Sequence, residues 1–122
     1  MATQATGGAF DFEVLRRAIE GRDAETLLDF YADDAELLTV NRNTTPSSPY
    51  TMRGKEEIGE YLCEVFGREM THKVENEVVG EDRIAFQEAC EYPDGVRVLG
   101  AETMELRDGK IFRQVNIEAW DD

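Results

Sequence analysis

Three turn sequences divide the segment between Met70 and Trp120 into runs with a hydrophobic period of two. The turns are Gly80-Glu81-Asp82, Pro93-Asp94-Gly95 and Arg107-Asp108-Gly109. A period of two is typical of half-buried strands, and Asp-Gly sequences suit three-residue hairpin loops. The pattern predicts a meander of four antiparallel strands over residues 70–79, 83–92, 96–106 and 110–120.

Apolar residues at helical spacing predict three helices ahead of this meander. The first two begin at the capping residues Asp11 and Asp23, and the third follows Gly54 and ends at Gly67. A strand-like run over residues 35–40 follows the second helix. The predicted fold class is therefore α+β, with three N-terminal helices packed on an antiparallel sheet.

The segment 41–52 is polar and contains the run Thr45-Pro46-Ser47-Ser48-Pro49. Prolines among short polar side chains oppose both a helix and a long strand, so a loop is predicted, and whether it acts as a lid is left open. Residues 1–9 are small and polar and predict a disordered tail. The remaining residues, 10–122, are predicted to form a single domain.

Charge and composition exclude several classes of partner. The chain of 122 residues has 13 Lys and Arg against 27 Asp and Glu, a formal net charge of −14. Such an acidic field repels phosphate backbones and anionic lipid headgroups, so neither nucleic acid nor a membrane is an expected partner. With no leader-like or span-length apolar segment and no closely spaced cysteine pair, a cytoplasmic protein with reduced thiols is predicted.

Alternation along the predicted strands assigns each residue to one of two sheet faces. The face expected under the helices is the more apolar, but its middle carries hydrophilic side chains that a filled core would exclude. A buried carboxylate costs several kcal/mol unless it is paired or protonated, so a cavity with apolar walls is predicted. The alternative is that the glutamates lie at strand ends and reach solvent. The candidate catalytic residues are His72, Glu88 and Glu102, and the candidate ligand-binding residues on this pattern are Tyr61, Phe86, Met104, Phe112, Gln114, Asn116, Glu118 and Trp120.

His72 is the only histidine, and the predicted register puts it opposite Cys90 and diagonal to Glu88, with Glu102 opposite Gln114. An imidazole with a reference pKa of about 6.5 suits a general base, and a glutamate in an apolar pocket is shifted toward acting as an acid. The alternative for His72 is a hydrogen bond without a catalytic role. One histidine with scattered glutamates is a poor ligand set for a transition metal, so neither a metal nor a cofactor is predicted.

The second face of the predicted sheet has charged edges and a small, apolar centre. No predicted helix remains to cover it, and an exposed apolar patch of this kind often marks association. A homodimer that pairs sheet against sheet is therefore predicted. The residues of this patch are Ala89, Leu99, Ala101, Thr103, Val115 and Ile117.

Four sequence features occur in the same order as the predicted elements: Gly21-Arg22-Asp23, Phe30-Tyr31-Ala32-Asp33-Asp34-Ala35, Arg53-Gly54-Lys55-Glu56-Glu57-Ile58 and Asp108-Gly109-Lys110-Ile111. Together they resemble the nuclear transport factor two-like superfamily, and within it the SnoaL-like group related to ketosteroid isomerases. The resemblance covers roughly residues 10 to 120. It implies an α+β cone whose curved sheet wraps a pocket. The activity stays open, because this fold hosts enzymes, binding modules and subunits alike.

Matched residue by residue, the resemblance leaves most of the steroid isomerase machinery absent. The aspartate base of those isomerases falls on Thr39, and their helix-one tyrosine falls near Leu15. Their protonated late-strand aspartate falls at or next to Glu102, which keeps a carboxyl group. Tyr31 matches an aromatic position that is sometimes tyrosine, and it is a further candidate ligand-binding residue. The resemblance therefore does not imply the steroid isomerase reaction.

Two functions are compatible with these features. The first is a small organic ligand bound in a partly acidic pocket, with cofactor-free acid–base chemistry such as an isomerisation, a cyclisation or a hydrolysis. The second is a non-catalytic ligand-sensing or assembly module of the same fold, favoured by the residues at positions 15 and 39. An open cavity supports the first, and a closed core with Glu88 and Glu102 tied to backbone or arginine partners supports the second.

Overall fold

The computed structural model describes residues 10–121. The predicted tail over residues 1–9 lies outside this range. Three helices and six strands form in the order α1 (Phe12–Glu20), α2 (Ala24–Leu28), β1 (Tyr31–Val40), β2 (Tyr50–Arg53), α3 (Gly54–Phe66), β3 (Thr71–Val79), β4 (Arg83–Glu91), β5 (Arg97–Arg107) and β6 (Lys110–Trp120). No helix in the described part of the chain is long and apolar enough to cross a membrane.

The predicted class, three helices on a curved sheet, is confirmed, but the sheet is mixed rather than antiparallel. Its strand order is β2-β1-β6-β5-β4-β3, and β1 runs parallel to β6. A parallel pair needs a long connection between its strands, and here α3 and the hairpins of β3 to β6 supply it. The long connection puts β1 next to the last strand of the meander, where it extends the sheet.

The predicted loop over residues 41–52 is wrong in its last part. Residues Tyr50–Arg53 form the short edge strand β2, which pairs with β1 through Leu37↔Met52 and its neighbours. Both prolines of the run precede this strand, so every backbone N–H within it is free to enter the ladder. Met52 is buried and anchors the strand to the core.

The hairpin between β5 and β6 differs from the predicted register. Its turn has two residues rather than three, because Asp108 and Gly109 both adopt positive φ, at 53° and 75°, as a type I′ turn requires. A bulge then adds one residue on β6, so Glu102 faces Asn116 rather than Gln114. The two displacements together amount to two residues, and side chains beyond the bulge keep their predicted face.

The hairpin between β3 and β4 agrees with the predicted register at its open end, where His72 faces Cys90. Towards the turn an irregularity at Asn76, whose φ is 56°, shifts the pairing by one residue. Alternation assigns Val78 to the inner face, but because of this shift its side chain is exposed. The shift lies towards the turn, so His72 and Glu88 keep their predicted register.

The helices cover one end of the inner sheet face and form the hydrophobic core there. On β4 the inward residues Ile84 and Phe86 belong to this core, and on β5 the corresponding residues are Met104 and Leu106. The inward residues at the other end of the same strands are polar or small, such as Glu88 and Gly100. The inner face of β4 and β5 is thus packed with apolar side chains at one end and carries polar or small residues at the other.

Candidate functional site

A cavity of about 220 Å³ occupies the polar end of the inner sheet face, between the sheet and α3. Part of its lining was predicted from the sequence. The predicted site residues that line it are Tyr31, Tyr61, His72, Glu88, Glu102, Met104, Gln114, Asn116, Glu118 and Trp120. The buried hydrophilic residues therefore surround open space, as expected from the cost of packing them in a core.

Two predicted wall residues lie elsewhere. Phe86 is buried in the hydrophobic core, where its ring packs against Phe12 of α1 with centroids 5.9 Å apart. Phe112 is the extra residue of the bulge on β6, so its side chain lies against the guanidinium of Arg107, 5.1 Å from the ring centroid. A bulge cannot be derived from alternation alone, and it moves Phe112 off the inner face.

His72 is held by two neighbours on the same ring nitrogen. Its Nδ1 atom lies 2.6 Å from Oε2 of Glu88 and 3.3 Å from Sγ of Cys90. The Phe66 ring packs edge-on against the imidazole with centroids 5.3 Å apart. The other ring nitrogen, Nε2, is buried and makes no hydrogen bond with any residue in the range 10–121. The imidazole is therefore oriented at one nitrogen and free at the other.

Cys90 is not arranged as a nucleophile. Burial raises the pKa of its thiol far above the usual range, and the charges of Glu88 and Glu102 raise it further. A nucleophilic cysteine needs a lowered pKa and a histidine nitrogen of its own to accept the proton. Here the thiol shares Nδ1 with a carboxylate, so it serves as a neutral packing and hydrogen-bonding group.

In the described part of the chain, one group of side chains has donor atoms close enough together to hold a metal ion. It consists of His72, Glu88 and Cys90, whose donor atoms lie within 4.8 Å of one another. The separation of 2.6 Å between Nδ1 of His72 and Oε2 of Glu88 is that of a hydrogen bond. Two ligands bound to one tetrahedral zinc ion at its usual distances stand roughly 3.3 Å apart. The observed geometry thus fits a hydrogen-bonded or ion-paired cluster. To bind a metal ion, the Glu88 carboxylate would have to move away from Nδ1 of His72.

Gln114 connects the cavity to the base of the sheet through three hydrogen bonds. Its carbonyl oxygen accepts from the Tyr31 hydroxyl, and its amide nitrogen donates to Oε1 of Glu102 at 3.1 Å and to Oδ1 of Asn116 at 2.8 Å. Both N–H donors of this amide are used, and its oxygen accepts one of the two hydrogen bonds that it can take. Oε1 of Glu102 is therefore an acceptor, which leaves Oε2, on the side of Gly100, to carry a proton.

Glu102 and Glu88 differ in protonation. Burial raises the pKa of Glu102 well above its usual range, and the neighbouring Glu88 and Glu118 raise it further. Burial acts on Glu88 in the same direction, but hydrogen bonding from Glu102 and His72 outweighs it and lowers the pKa of Glu88. Two nearby buried carboxyl groups cannot both ionise at low cost, so the proton resides on Glu102 and the charge on Glu88.

Stability is expected to fall as pH rises, because of Glu102. An unfolded glutamate releases its proton near pH 4.3, about the reference pKa, whereas the folded chain retains it to higher pH. The stabilising contribution is complete below the unfolded pKa and is lost towards the folded pKa at about 1.4 kcal/mol for each pH unit. Glu102→Gln stays neutral and keeps an acceptor for Gln114, so its stability relative to wild type should increase with pH. Urea unfolding between about pH 5 and pH 8 measures this. The exposed Glu91→Gln on β4 serves as the control and should keep the wild-type slope.

The segment after β1 contributes to the cavity wall, which sequence reasoning missed. Asn41, Asn43 and Tyr50 line the cavity, and the Tyr50 ring packs edge-on against Tyr61 with centroids 6.3 Å apart. The guanidinium of Arg42 lies over Trp120, 4.3 Å from the ring centroid. The pairing of residues 50–53 with β1 brings this segment back beside the sheet, and local sequence patterns carry no signal for such pairing.

Burial raises the pKa of Tyr61 above its usual range, Glu118 raises it further, and the nearby Thr39 hydroxyl opposes the shift. Thr39 lines the cavity, and its hydroxyl makes no hydrogen bond of ordinary geometry within residues 10–121. Leu15, at the other position matched to the isomerases, is buried in the hydrophobic core. The cavity therefore presents phenol and hydroxyl groups but no carboxylate at position 39.

The SnoaL-like domain model matches residues 12–114 of the chain. No curated protein matches the sequence closely enough to count as a relative. Solved structures with the same fold include a candidate ketosteroid isomerase from Kribbella flavida, with a TM-score of 0.71 and 15% identity, which covers 91% of this chain and 75% of that one. An NTF2-like protein of unknown function from Mesorhizobium loti has a TM-score of 0.72 and 20% identity over 88% of each chain.

A SnoaL-like protein of unknown function from Burkholderia thailandensis has a TM-score of 0.68 and 22% identity, over 88% of this chain and 89% of that one. At such low identity these likenesses show the fold alone, which is the NTF2-like, or cystatin-like, arrangement of helices on a curved sheet. The match to the domain model spans most of the chain and agrees with the resemblance in sequence. This chain belongs to the SnoaL-like family of the NTF2-like superfamily.

Proposed function

We propose that the protein binds a small organic molecule in the cavity and transfers a proton on it without a cofactor, as in an isomerisation, a cyclisation or a hydrolysis. The observation that carries this proposal is His72, a residue that lines the cavity and whose buried Nε2 atom makes no hydrogen bond in the described chain. Leaving a buried polar atom unpaired costs about 1–3 kcal/mol, a cost that a bound ligand would relieve.

In this proposal His72 is the general base and Glu102 is the general acid. Nε2 of His72 takes a proton from the substrate, and the imidazolium that forms is stabilised by the Glu88 carboxylate, 2.6 Å from Nδ1. Glu102, held neutral by burial and by Glu88, donates from Oε2 to the oxygen on which negative charge develops. Gln114 keeps the acid oriented through its bond to Oε1.

The second candidate is a non-catalytic module that senses a ligand or supports an assembly. It is favoured by Thr39 and Leu15, which stand where the related isomerases have an acid–base residue and a tyrosine. The two carboxyl groups have side-chain partners rather than arginines or backbone, since Glu88 bonds to His72 and Glu102 to Gln114. That difference, together with the open cavity, supports the catalytic proposal over the module.

The experiment that tests the proposal has two stages. Compounds that co-purify with the protein are identified by mass spectrometry and, with a library of small carbonyl compounds, are tested for thermal stabilisation. A ligand at 100 times its dissociation constant should add about 2.7 kcal/mol of stability. Ligands that stabilise are then incubated with the protein in D₂O, and proton NMR records exchange or conversion. Binding without exchange or conversion supports the module, and the absence of any stabilising compound contradicts both candidates.

We also propose that two copies pair through the outer sheet face. Leu99 and Ile117 on this face are 49% and 57% exposed, and Ala101 and Thr103 between them are exposed as well. Burial of such a patch gives association its driving force. Sedimentation at micromolar concentration should show a dimer that Leu99→Lys converts to a monomer, while Val79→Lys, at an exposed position on β3, should leave it unchanged. A wild-type monomer would contradict this proposal.

A further inference from the structure

The cavity is rich in hydrogen-bond acceptors and poor in positive charge. Three glutamates line it, namely Glu88, Glu102 and Glu118. Among the described lining residues the one arginine is Arg68, and its guanidinium is already held by the carboxylate of Glu64 and by the Tyr92 hydroxyl at 3.1 Å. A ligand that enters this cavity therefore meets carboxyl groups that the one arginine among the described lining residues does not neutralise.

A gap separates two of these carboxyl groups. In the sheet Gly100 of β5 lies between Glu88 of β4 and Glu118 of β6, directly opposite both. Strands are spaced about 4.8 Å apart, so the backbones of the two glutamates stand roughly 10 Å apart on one face. Gly100 is buried and lines the cavity, and because it has no side chain the floor between the two glutamates is open.

His72, whose Nε2 atom has no partner among the described residues, lines the same cavity. Nδ1 lies at hydrogen-bond distance from the Glu88 carboxylate, which accepts but cannot donate, so the neutral ring carries its proton there. In that neutral form Nε2 carries only a lone pair, and the residue as a whole is only 6% exposed. A ligand that satisfies Nε2 has to present a donor, which is the same requirement that Glu88 and Glu118 impose.

We propose that the ligand of this cavity is a small organic cation, a protonated amine, whose ammonium group sits over Gly100 between Glu88 and Glu118 and donates hydrogen bonds to them. This proposal rests on the proposed function, since it names the class of molecule that the cavity binds. The aromatic rings of Tyr61 and Trp120 also line the cavity, and aromatic faces attract cations. One ring of this site, Trp120, already carries a cation, the guanidinium of Arg42.

The test compares three probes of nearly equal size, namely benzylamine, benzyl alcohol and benzoate, by isothermal titration at neutral pH. Benzylamine should bind at least tenfold more tightly than benzyl alcohol, and benzoate should bind more weakly than either. Glu118→Gln keeps an acceptor for the indole N–H of Trp120, which now bonds to Oε1 of Glu118 at 3.2 Å. This variant should weaken the binding of benzylamine at least tenfold and change the dissociation constant of benzyl alcohol less than twofold. Glu91→Gln removes one negative charge outside the cavity and should change the affinity for neither compound.

A second variant tests the place of the ammonium group. A Cβ atom added at Gly100 would lie 3.7 Å from Oε2 of Glu102 and 3.8 Å from the Glu88 carbonyl oxygen, which are ordinary contacts, so Gly100→Ala should fold. It fills the floor between the glutamates and should weaken benzylamine at least tenfold. Benzyl alcohol that binds as tightly as benzylamine would overturn the cation proposal and leave the ligand cavity in place. Failure of all three probes to bind at millimolar concentration would overturn the cation proposal, while the exchange experiment decides the proposed function separately.

Discussion

A His72→Gln variant is expected to exchange or convert the substrate about 10²–10⁴-fold more slowly than the wild-type protein, the range that a positioned general base contributes. Glutamine can still donate to the Glu88 carboxylate, so the local packing is retained, but its amide accepts no proton at neutral pH. The rate is measured by proton NMR in D₂O on the compound that the ligand screen identifies. The loss should appear in kcat more than in KM, since the proton is removed only in the chemical step.

Two further variants separate the base from its orienting partner. Glu88→Gln removes the negative charge beside Nδ1, so the imidazolium loses its stabilisation and the rate should fall at least tenfold. Cys90→Ser keeps a small polar group beside the same nitrogen, from which Sγ now lies 3.3 Å away, and should leave the rate within about threefold of wild type. Full activity in His72→Gln would show that another group removes the proton, and the catalytic assignment of His72 would then be wrong.

The sequence predicts the inward-facing side chains of the site better than their cross-strand partners, because the prediction relies on the two-residue period of the strands. Alternation assigns a side chain to a face but does not fix its partner across the strands. Gln114 and Asn116 are therefore predicted on the inner face correctly, although β6 is displaced by two residues against β5. Phe112 is predicted wrongly because a bulge changes the count by one, and bulges leave no clear mark on local periodicity.

Long-range pairing is the part of the fold that local patterns do not contain. Nothing in the run 31–40 indicates that it lies parallel to β6, or that residues 50–53 return to form an edge strand beside it. The same pairing brings Asn41, Asn43 and Tyr50 to the cavity, so these lining residues were missed together. The free state of Nε2 in His72 depends on the rotamer that Glu88 and Cys90 select, which alternation cannot specify. The cytoplasmic location, the dimer and the single domain over 10–122 stay predictions.

The amide of Gln114 is expected to stabilise the fold strongly, because three buried polar groups depend on it. A Gln114→Leu variant leaves the Tyr31 hydroxyl, Oε1 of Glu102 and Oδ1 of Asn116 without the partners they now have. An unpaired buried group costs about 1–3 kcal/mol, so the loss of three partners should lower the free energy of unfolding by at least about 3 kcal/mol, a large share of the roughly 5–15 kcal/mol typical of a domain.

A double-mutant cycle with Tyr31→Phe tests whether this loss comes from the network or from packing. Tyr31→Phe alone leaves the Gln114 carbonyl unpaired and should cost about 1–2 kcal/mol. The double variant removes the hydroxyl and its acceptor together, so its loss should be smaller than the sum of the two single losses by about 1 kcal/mol or more. Urea unfolding at one pH measures all four proteins. Strict additivity would mean that the Tyr31–Gln114 hydrogen bond contributes nothing, and that the amide at position 114 matters only for the orientation of Glu102 and Asn116.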